Sequence, residues 1–270
     1  MKILARQKLF FIFFLSIFIV ANIGFSLSPL LALYGWIKVA ELAFIAFYLA
    51  RTITSRVQLI FISFLFAIGA FFESILAIFQ YLNQESLNGV FYFFGERAFT
   101  GDTPGIANAS IDGTLVLRPY GTFSHPNVLA GYLLVSLVMI WSFLLRSTNR
   151  WIQLFAGLTL LVASIALLLS LGRVAISLWA LIVIGIFLRV FVRRMQELHT
   201  KLIVLGIFLI ALSGIAALHI PRQIVMRFSQ TSLFEQSVTE RTELLTASTT
   251  MISNHPLLGV GVENFIPALA

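Results

Sequence analysis

With 270 residues, 59% hydrophobic and only 11% charged, and a mean hydropathy of +0.98, the chain lies outside the range of water-soluble domains, which carry about 25% charged residues. The absence of cysteine excludes a disulfide scaffold, a zinc-thiolate site and a catalytic thiol. A net charge of +7 and a pI near 10.1 would suit a nucleic-acid binder if the basic residues shared one face, but they are spread over short loops without aromatic interleaving, so no nucleic-acid partner is expected.

The chain opens with Lys2, Arg6 and Lys8 ahead of an apolar run from Leu9. This imitates a signal peptide, but no Ala-x-Ala-like cleavage site follows, and the segment reads as a retained first span. Apolar stretches near the roughly 20 residues that a spanning helix needs occupy 9–27, 30–50, 57–82, 126–145, 151–170, 174–192 and 202–220. The expected fold is an all-α polytopic membrane helix bundle of about seven transmembrane helices. Its organisation is a bundle over 1–220, with an external loop at 83–125, and the start of a large external loop over 221–270.

Within the second span, Lys38 and Glu41 are three residues apart and share a helix face, as an internal ion pair or as part of an ion path. Glu73 in the third span has no obvious partner, and Gln80 follows two turns later on a similar face. The 83–125 loop is polar, rich in Gly, Asn, Asp and Thr, and of a length that is usually functional or disordered.

From Arg118 to Tyr132 the chain runs out of that loop into the fourth span. Pro126 suits the first helical turn, and His125 or Ser124 suits its cap. Helix N-termini attract anions, which makes Arg118, His125 and Asn127 candidate substrate-binding residues for a phosphate or a sugar; a capping or surface role for the histidine stands beside that reading. Arg173 follows Ser170-Leu171-Gly172 between two apolar spans joined by almost no loop. A guanidinium held at the outer membrane surface can grip a lipid-borne phosphate through its planar donor fork, or can simply snorkel to the headgroups. In the tail, a helix is expected from about Val238 to Ser253 with an apolar face through Leu244, Leu245 and Met251, ending at Asn254-His255-Pro256. Gly259 and Gly261 alone are a weak signal.

Charge sets the orientation. With the N-terminus inside, Lys2, Arg6, Lys8, Arg51, Arg56, Arg146, Arg150, Arg189, Arg193, Arg194 and Lys201 fall in the cytoplasm with Glu197 as the only acid. The outside then receives Arg97, Arg118, Arg173, Arg222, Arg227 and Arg241 with the acids Glu85, Glu96, Asp102, Asp112, Glu235, Glu240, Glu243 and Glu263, and the C-terminus lies outside.

Three segments in this order resemble the O-antigen ligase and polymerase family of bacterial cell-surface glycan enzymes: Gly121-Thr122-Phe123 through His125-Pro126-Asn127 and Ala130; Gly172-Arg173 opening a span; and Arg241 followed by His255-Pro256-Leu257-Leu258-Gly259-Val260-Gly261 and Phe265. The resemblance covers about residues 60 to 270. It implies a multi-pass protein of the bacterial cytoplasmic (inner) membrane that moves a glycan from an undecaprenyl diphosphate carrier to an acceptor hydroxyl on a lipid, glycan or protein, without metal or cofactor. It also implies that Arg173 and Arg241 are the catalytic arginines that hold the diphosphate leaving group, whose developing charge fixed guanidinium groups stabilise. Attack from the opposite face would invert the anomeric centre. In the family a loop histidine and further spans lie beyond the position of Ala270, so the chain is expected to be the first part of a ligase or polymerase. His255 belongs to the His-Pro-Leu-Leu-Gly motif and is not assigned as the base. The competing readings are a transporter or channel working through Lys38, Glu41 and Glu73, and a noncatalytic membrane scaffold.

Overall fold

The computed structural model describes residues 2–111, 114–146, 149–192 and 236–269. In chain order it contains α1 (Lys2–Gly24), α2 (Pro29–Thr52), α3 (Arg56–Asn83), a 3-10 turn (Gly89–Phe94), the strands β1 (Asn108–Ile111) and β2 (Thr114–Leu117), α4 (Pro126–Arg146), α5 (Arg150–Leu169), α6 (Arg173–Val192), α7 (Gln236–Asn254) and a 3-10 turn at Pro267–Leu269. Two compact units form, one from Met1–Thr54 with Ser232–Ala270 and the other from Ser55–Thr231. Six of the expected apolar segments are helices within a residue or two of their anticipated ends, apart from the first, which begins earlier and ends at Gly24. The expected span at 202–220, and the topology-bearing residues Asp112, Arg193, Arg194, Glu197, Lys201, Arg222, Arg227 and Glu235, lie outside the described residues.

The protein is a mostly helical membrane protein. Among the described residues α2, α3 and α5 are long and apolar enough to cross a membrane, and shorter apolar stretches run through Phe10–Gly24, Pro126–Ser142 and Arg173–Ile186. The ends of the helices follow from local chemistry. Pro29 and Pro126 occupy first helical positions, where a missing N–H costs nothing. Ser55 and Gln58 close a capping box at the start of α3, with Gln58 N–H donating to Ser55 Oγ at 3.2 Å and Ser55 N–H to Gln58 Oε1 at 3.0 Å. Asn149 caps α5 by accepting from Trp151 N–H at 2.9 Å.

In the second unit the core is a seam of small side chains. Ser63, Ala67, Ala70, Ser74 and Ala77 recur at intervals of four and three along α3 and are all buried. On α5 they meet Ala156, Thr159, Ala163, Ser164 and Ala166. Lipid tails are as apolar as leucine, so burial of alkyl surface alone does not drive helix association in a bilayer; close backbone approach between small residues does. Each buried hydroxyl returns to its own helix, as in Ser74 Oγ to Ala70 O at 2.5 Å and Ser164 Oγ to Leu160 O at 2.7 Å, and so enters the seam already satisfied. On α4, Leu129, Leu133, Leu137, Ile140 and Leu144 complete the core, while α6 packs Trp179 against it. The outward faces, such as Phe61, Leu65 and Ile68 on α3 and Leu181, Ile184 and Leu188 on α6, expose large apolar side chains, as lipid contact requires.

The segment 84–125 is not a featureless loop. It holds a 3-10 turn and an antiparallel hairpin in which Asn108 pairs with Leu117 and Ile111 with Thr114.

In the first unit, Lys38 does not pair with Glu41. Its ammonium lies 3.6 Å from Glu263 and 4.3 Å from the Tyr34 ring centroid. A carboxylate brought in by the tail competes successfully with one on the same helix because the 258–264 segment is strapped to the α1–α2 turn. Asn22 Nδ2 donates to Leu258 O at 2.8 Å, and Trp36 Nε1 donates to Asn22 Oδ1 at 2.9 Å. The fully buried Asn264 accepts from Ser28 N–H at 2.8 Å. Gly261 has a positive φ of 97°, and a side chain there would run into Ser26.

The α3–α5 seam has a direct test. Ala70→Leu forces large atoms between two close backbones and should lower stability by about 1–3 kcal/mol, whereas Leu65→Ile on the lipid-facing side should change little. Thermal unfolding in the same lipid or detergent measures the difference.

Candidate functional site

At the end of the second unit where α3 finishes and α4 begins, two polar side chains of α3 hold the connecting segment. Gln80, fully buried, uses its whole carboxamide. Nε2 donates to Glu96 Oε1 at 2.8 Å and to Gly121 O at 3.0 Å, and Oε1 accepts from Tyr120 N–H at 3.0 Å and Gly121 N–H at 2.8 Å. Glu73, without an evident partner in the sequence, accepts from Thr122 Oγ1 at 2.5 Å and Thr122 N–H at 3.0 Å. Gly121 has a φ of 59°, and a Cβ there would meet the Glu73 carboxylate, so only glycine lets the backbone come this close. Glu96, itself buried, accepts from Leu87 N–H and Asn88 N–H, each at 2.8 Å, and folds 87–96 back on itself.

This clamp delivers Arg118. Its guanidinium, 7% exposed, donates from Nε to Ser170 O at 2.8 Å and through an NH2 group to Asn127 Oδ1 at 2.7 Å. It therefore joins the loop, the start of α4 and the α5–α6 turn at one point. That turn is strained: Leu171 adopts a φ of 51°, uncommon for a residue with a branched side chain. The strain is held from three sides. Ser170 Oγ donates to Leu167 O at 2.6 Å, Ser170 O accepts from Arg118, and the buried Leu171 packs on Ala109 and Val116 of the hairpin. Arg173 then opens α6, half-buried, at the first position after the turn.

His125 is the N-cap of α4. Nδ1 accepts from Asn127 N–H at 3.1 Å, and the carbonyl of His125 accepts from Val128 N–H at 2.9 Å. An accepting Nδ1 requires a neutral ring with its proton on Nε2. Burial, reinforced by the Arg118 guanidinium, holds the imidazole below its ordinary value of 6.5. Arg97 donates to Ser124 O at 3.0 Å and lies over the Tyr120 ring, 5.6 Å from its centroid. Four of the five expected site residues, Arg118, His125, Asn127 and Arg173, thus belong to one unit. Three of them are joined by hydrogen bonds, and the fourth follows the turn that Arg118 holds. Arg241 lies near the start of α7, in the other unit. Glu73, Gln80 and Glu96, which assemble the site, were not among the expected residues. Their signal in the sequence was polarity inside or beside an apolar span, which names a need for partners but not the partners.

α7 extends two residues further at its start and one at its end than expected. The expected apolar face is not buried as a whole: Leu244 and Leu245 are exposed, and Met251 is half-buried. Thr242, Thr246, Thr250 and Met251 line an open groove of about 720 Å³ with Asn254, His255 and Val260. The intervals of four between the threonines put them in one row along the groove.

The cap makes a pH prediction. Because the folded ring titrates below the unfolded one, its contribution is complete above the unfolded value and is lost as pH falls through the folded one. The thermal midpoint should therefore drop on going from about pH 7.5 to about 5.5 more steeply than in His125→Asn, which keeps a capping acceptor of about 1 kcal/mol without a titrating ring. Parallel curves for the two proteins would contradict the assignment.

Residues 158–270 match the family model described as O-Antigen ligase. No curated protein and no solved structure matches. The match takes in the second half of α5, the strained turn, Arg173, α7 with Arg241, and the His255–Gly261 motif; Arg118, His125 and Asn127 precede it. Residues 158–270 of this helical membrane chain are thus similar to the O-antigen ligase family.

Proposed function

We propose that the chain acts in cell-surface polysaccharide assembly as an O-antigen ligase-like glycosyltransferase of the bacterial inner membrane, moving a glycan from undecaprenyl diphosphate to an acceptor hydroxyl on a lipid, glycan or protein. On this reading the chain crosses the membrane about seven times with its N-terminus inside and its C-terminus outside, and Arg173 faces the outer surface. Arg173 and Arg241 act as the catalytic arginines toward the diphosphate as negative charge develops on it, and Arg118, His125 and Asn127 take part in binding the substrate.

One observation carries the proposal: a buried guanidinium from the loop, Arg118, fixes the backbone of Ser170, three residues before Arg173, in the segment that matches the O-antigen ligase family. A charged side chain can stabilise a leaving group only if it is already in place when the charge appears. By holding the backbone that precedes Arg173, Arg118, the strained Leu171 and the hairpin support such a placement. The N-termini of α4 and α6 add their helix dipoles at the same end of the unit. Glu73, which a transporter reading would use as an ion carrier, has both carboxylate oxygens engaged by Thr122.

The test is binding of undecaprenyl diphosphate to the protein reconstituted in bilayers. Arg173→Ala should weaken binding by about tenfold or more, the loss of one charge-assisted interaction, with Arg173→Lys in between because an ammonium replaces the charge but not the fork. Equal binding by the wild type and by the double variant Arg173→Ala, Arg241→Ala would refute the proposal.

A further inference from the structure

We infer that the Gly89–Phe94 turn is a re-entrant aromatic wedge that dips from the outer loop into the bilayer and lies against the acyl chains of the outer leaflet, on the reading that α3 spans the membrane from inside to outside. Its composition fits lipid and not water. From Ser86 to Gly95 the sequence carries no charge, and within it Gly-Val-Phe-Tyr-Phe-Phe forms the turn. Phe93 is 84% exposed, and Val90, Tyr92 and Phe94 are each more than 60% exposed. On α3, Phe79 and Leu82, nearer its outer end, are exposed as well.

Depth follows from where the turn is pinned. Phe94 and Phe91 pack on Phe72 of α3, with ring centroids 5.5 Å and 6.3 Å apart. Phe72 stands eleven residues before the end of α3 at Asn83. At 1.5 Å per residue the turn therefore hangs about 16 Å back along the helix from its outer end. The 28 residues of α3 make a rod of about 42 Å, against about 30 Å of hydrocarbon, so at most about 12 Å of it projects beyond the apolar layer on the outer side. Even with all of that excess outside, the level of Phe72 is below the hydrocarbon surface.

A non-helical segment at that depth must satisfy its own backbone. Here the bonds at its base are made within the segment and to the buried Glu96. Gly95 N–H donates to Tyr92 O at 3.1 Å, and Glu96 N–H to Phe91 O at 3.1 Å. The N–H groups of Leu87 and Asn88 go to the Glu96 carboxylate, and Glu96 is tied in turn to Gln80. Ser86 and Asn88 are bonded to Phe99 O and Ser86 O. The polar base of the turn is closed inward, and its aromatic tip is left outward.

Because the chain has no cysteine, single thiols report position without background. Phe93→Cys and, separately, Tyr92→Cys would be labelled with a fluorophore and reconstituted in vesicles containing lipids brominated along the acyl chain. Ile68→Cys, on the exposed face of α3 and deeper than Phe72, serves as the reference and Asp102→Cys as the aqueous one. Quenching at 92 and 93 should come within about twofold of that at 68, with none at 102, as immersion in the hydrocarbon layer requires. Quenching at 68 but not at 92 or 93 would overturn the inference. No quenching at 68 would overturn the reading of α3 as a span, and the wedge with it.

Discussion

The carboxamide of Gln80 sits where water does not reach, and each of its two polar atoms meets two partners. Four hydrogen bonds from one buried side chain tie an apolar helix to the turn at Tyr120-Gly121 and to Glu96, the residue that closes the 87–96 segment. Such a group is neutral or favourable while every bond is made, and each buried partner left alone costs about 1–3 kcal/mol. Removal of the amide would strand two backbone N–H groups and a carbonyl together and take one donor from the Glu96 carboxylate. The loop's conformation is therefore set by the satisfaction of polar groups at the end of α3, and the positions of Arg118, Asn127 and the Ser170–Arg173 turn follow from it.

This arrangement separates two jobs that a membrane protein must perform with few polar atoms. Along α3 and α5, alanine, serine and threonine bring backbones together and keep their hydroxyls bonded within the helix, so nothing polar is spent in the seam. At one end of the same helices, Glu73, Gln80, Glu96 and Arg118 are concentrated and cross-linked. Rigidity there has a chemical use under the proposed function. A preorganised guanidinium stabilises departing diphosphate without first having to be oriented. The Leu171 conformation is uncommon enough to need support, and it is supported from the loop by Arg118 and from the hairpin by Ala109 and Val116.

Much of the helical scaffold was legible because membrane solvent imposes a length and a composition on each span. The ends of α3, α4, α5 and α6 fall within one residue of those read from hydropathy, helped by Ser55, Pro126 and Asn149. His125 as a cap was legible for the same local reason. Long-range pairing was not. Lys38 and Glu41 have suitable helical spacing, yet Lys38 meets Glu263, because the Asn22–Trp36–Asn264 strap that brings the tail in has no periodicity to reveal it. Glu73 and Gln80 likewise announced polarity without naming Thr122 or Gly121 forty and more residues on. The hairpin at 108–117 escaped notice because each strand has four residues, too short for alternation to register. On α7 the leucines at 244 and 245 dominate the hydropathy yet stay exposed, because hydropathy marks an apolar residue without naming what would cover it.

The central claim is that Gln80 and Glu73 order the segment leading to Arg118. Amide hydrogen exchange across residues 118–123, measured on the protein in bilayers, tests it most directly. The bonds of the Tyr120, Gly121 and Thr122 amides to these two side chains predict protection comparable to that of α5, in a stretch with no helix or strand of its own. Exchange there at the rate of an open loop would contradict the account.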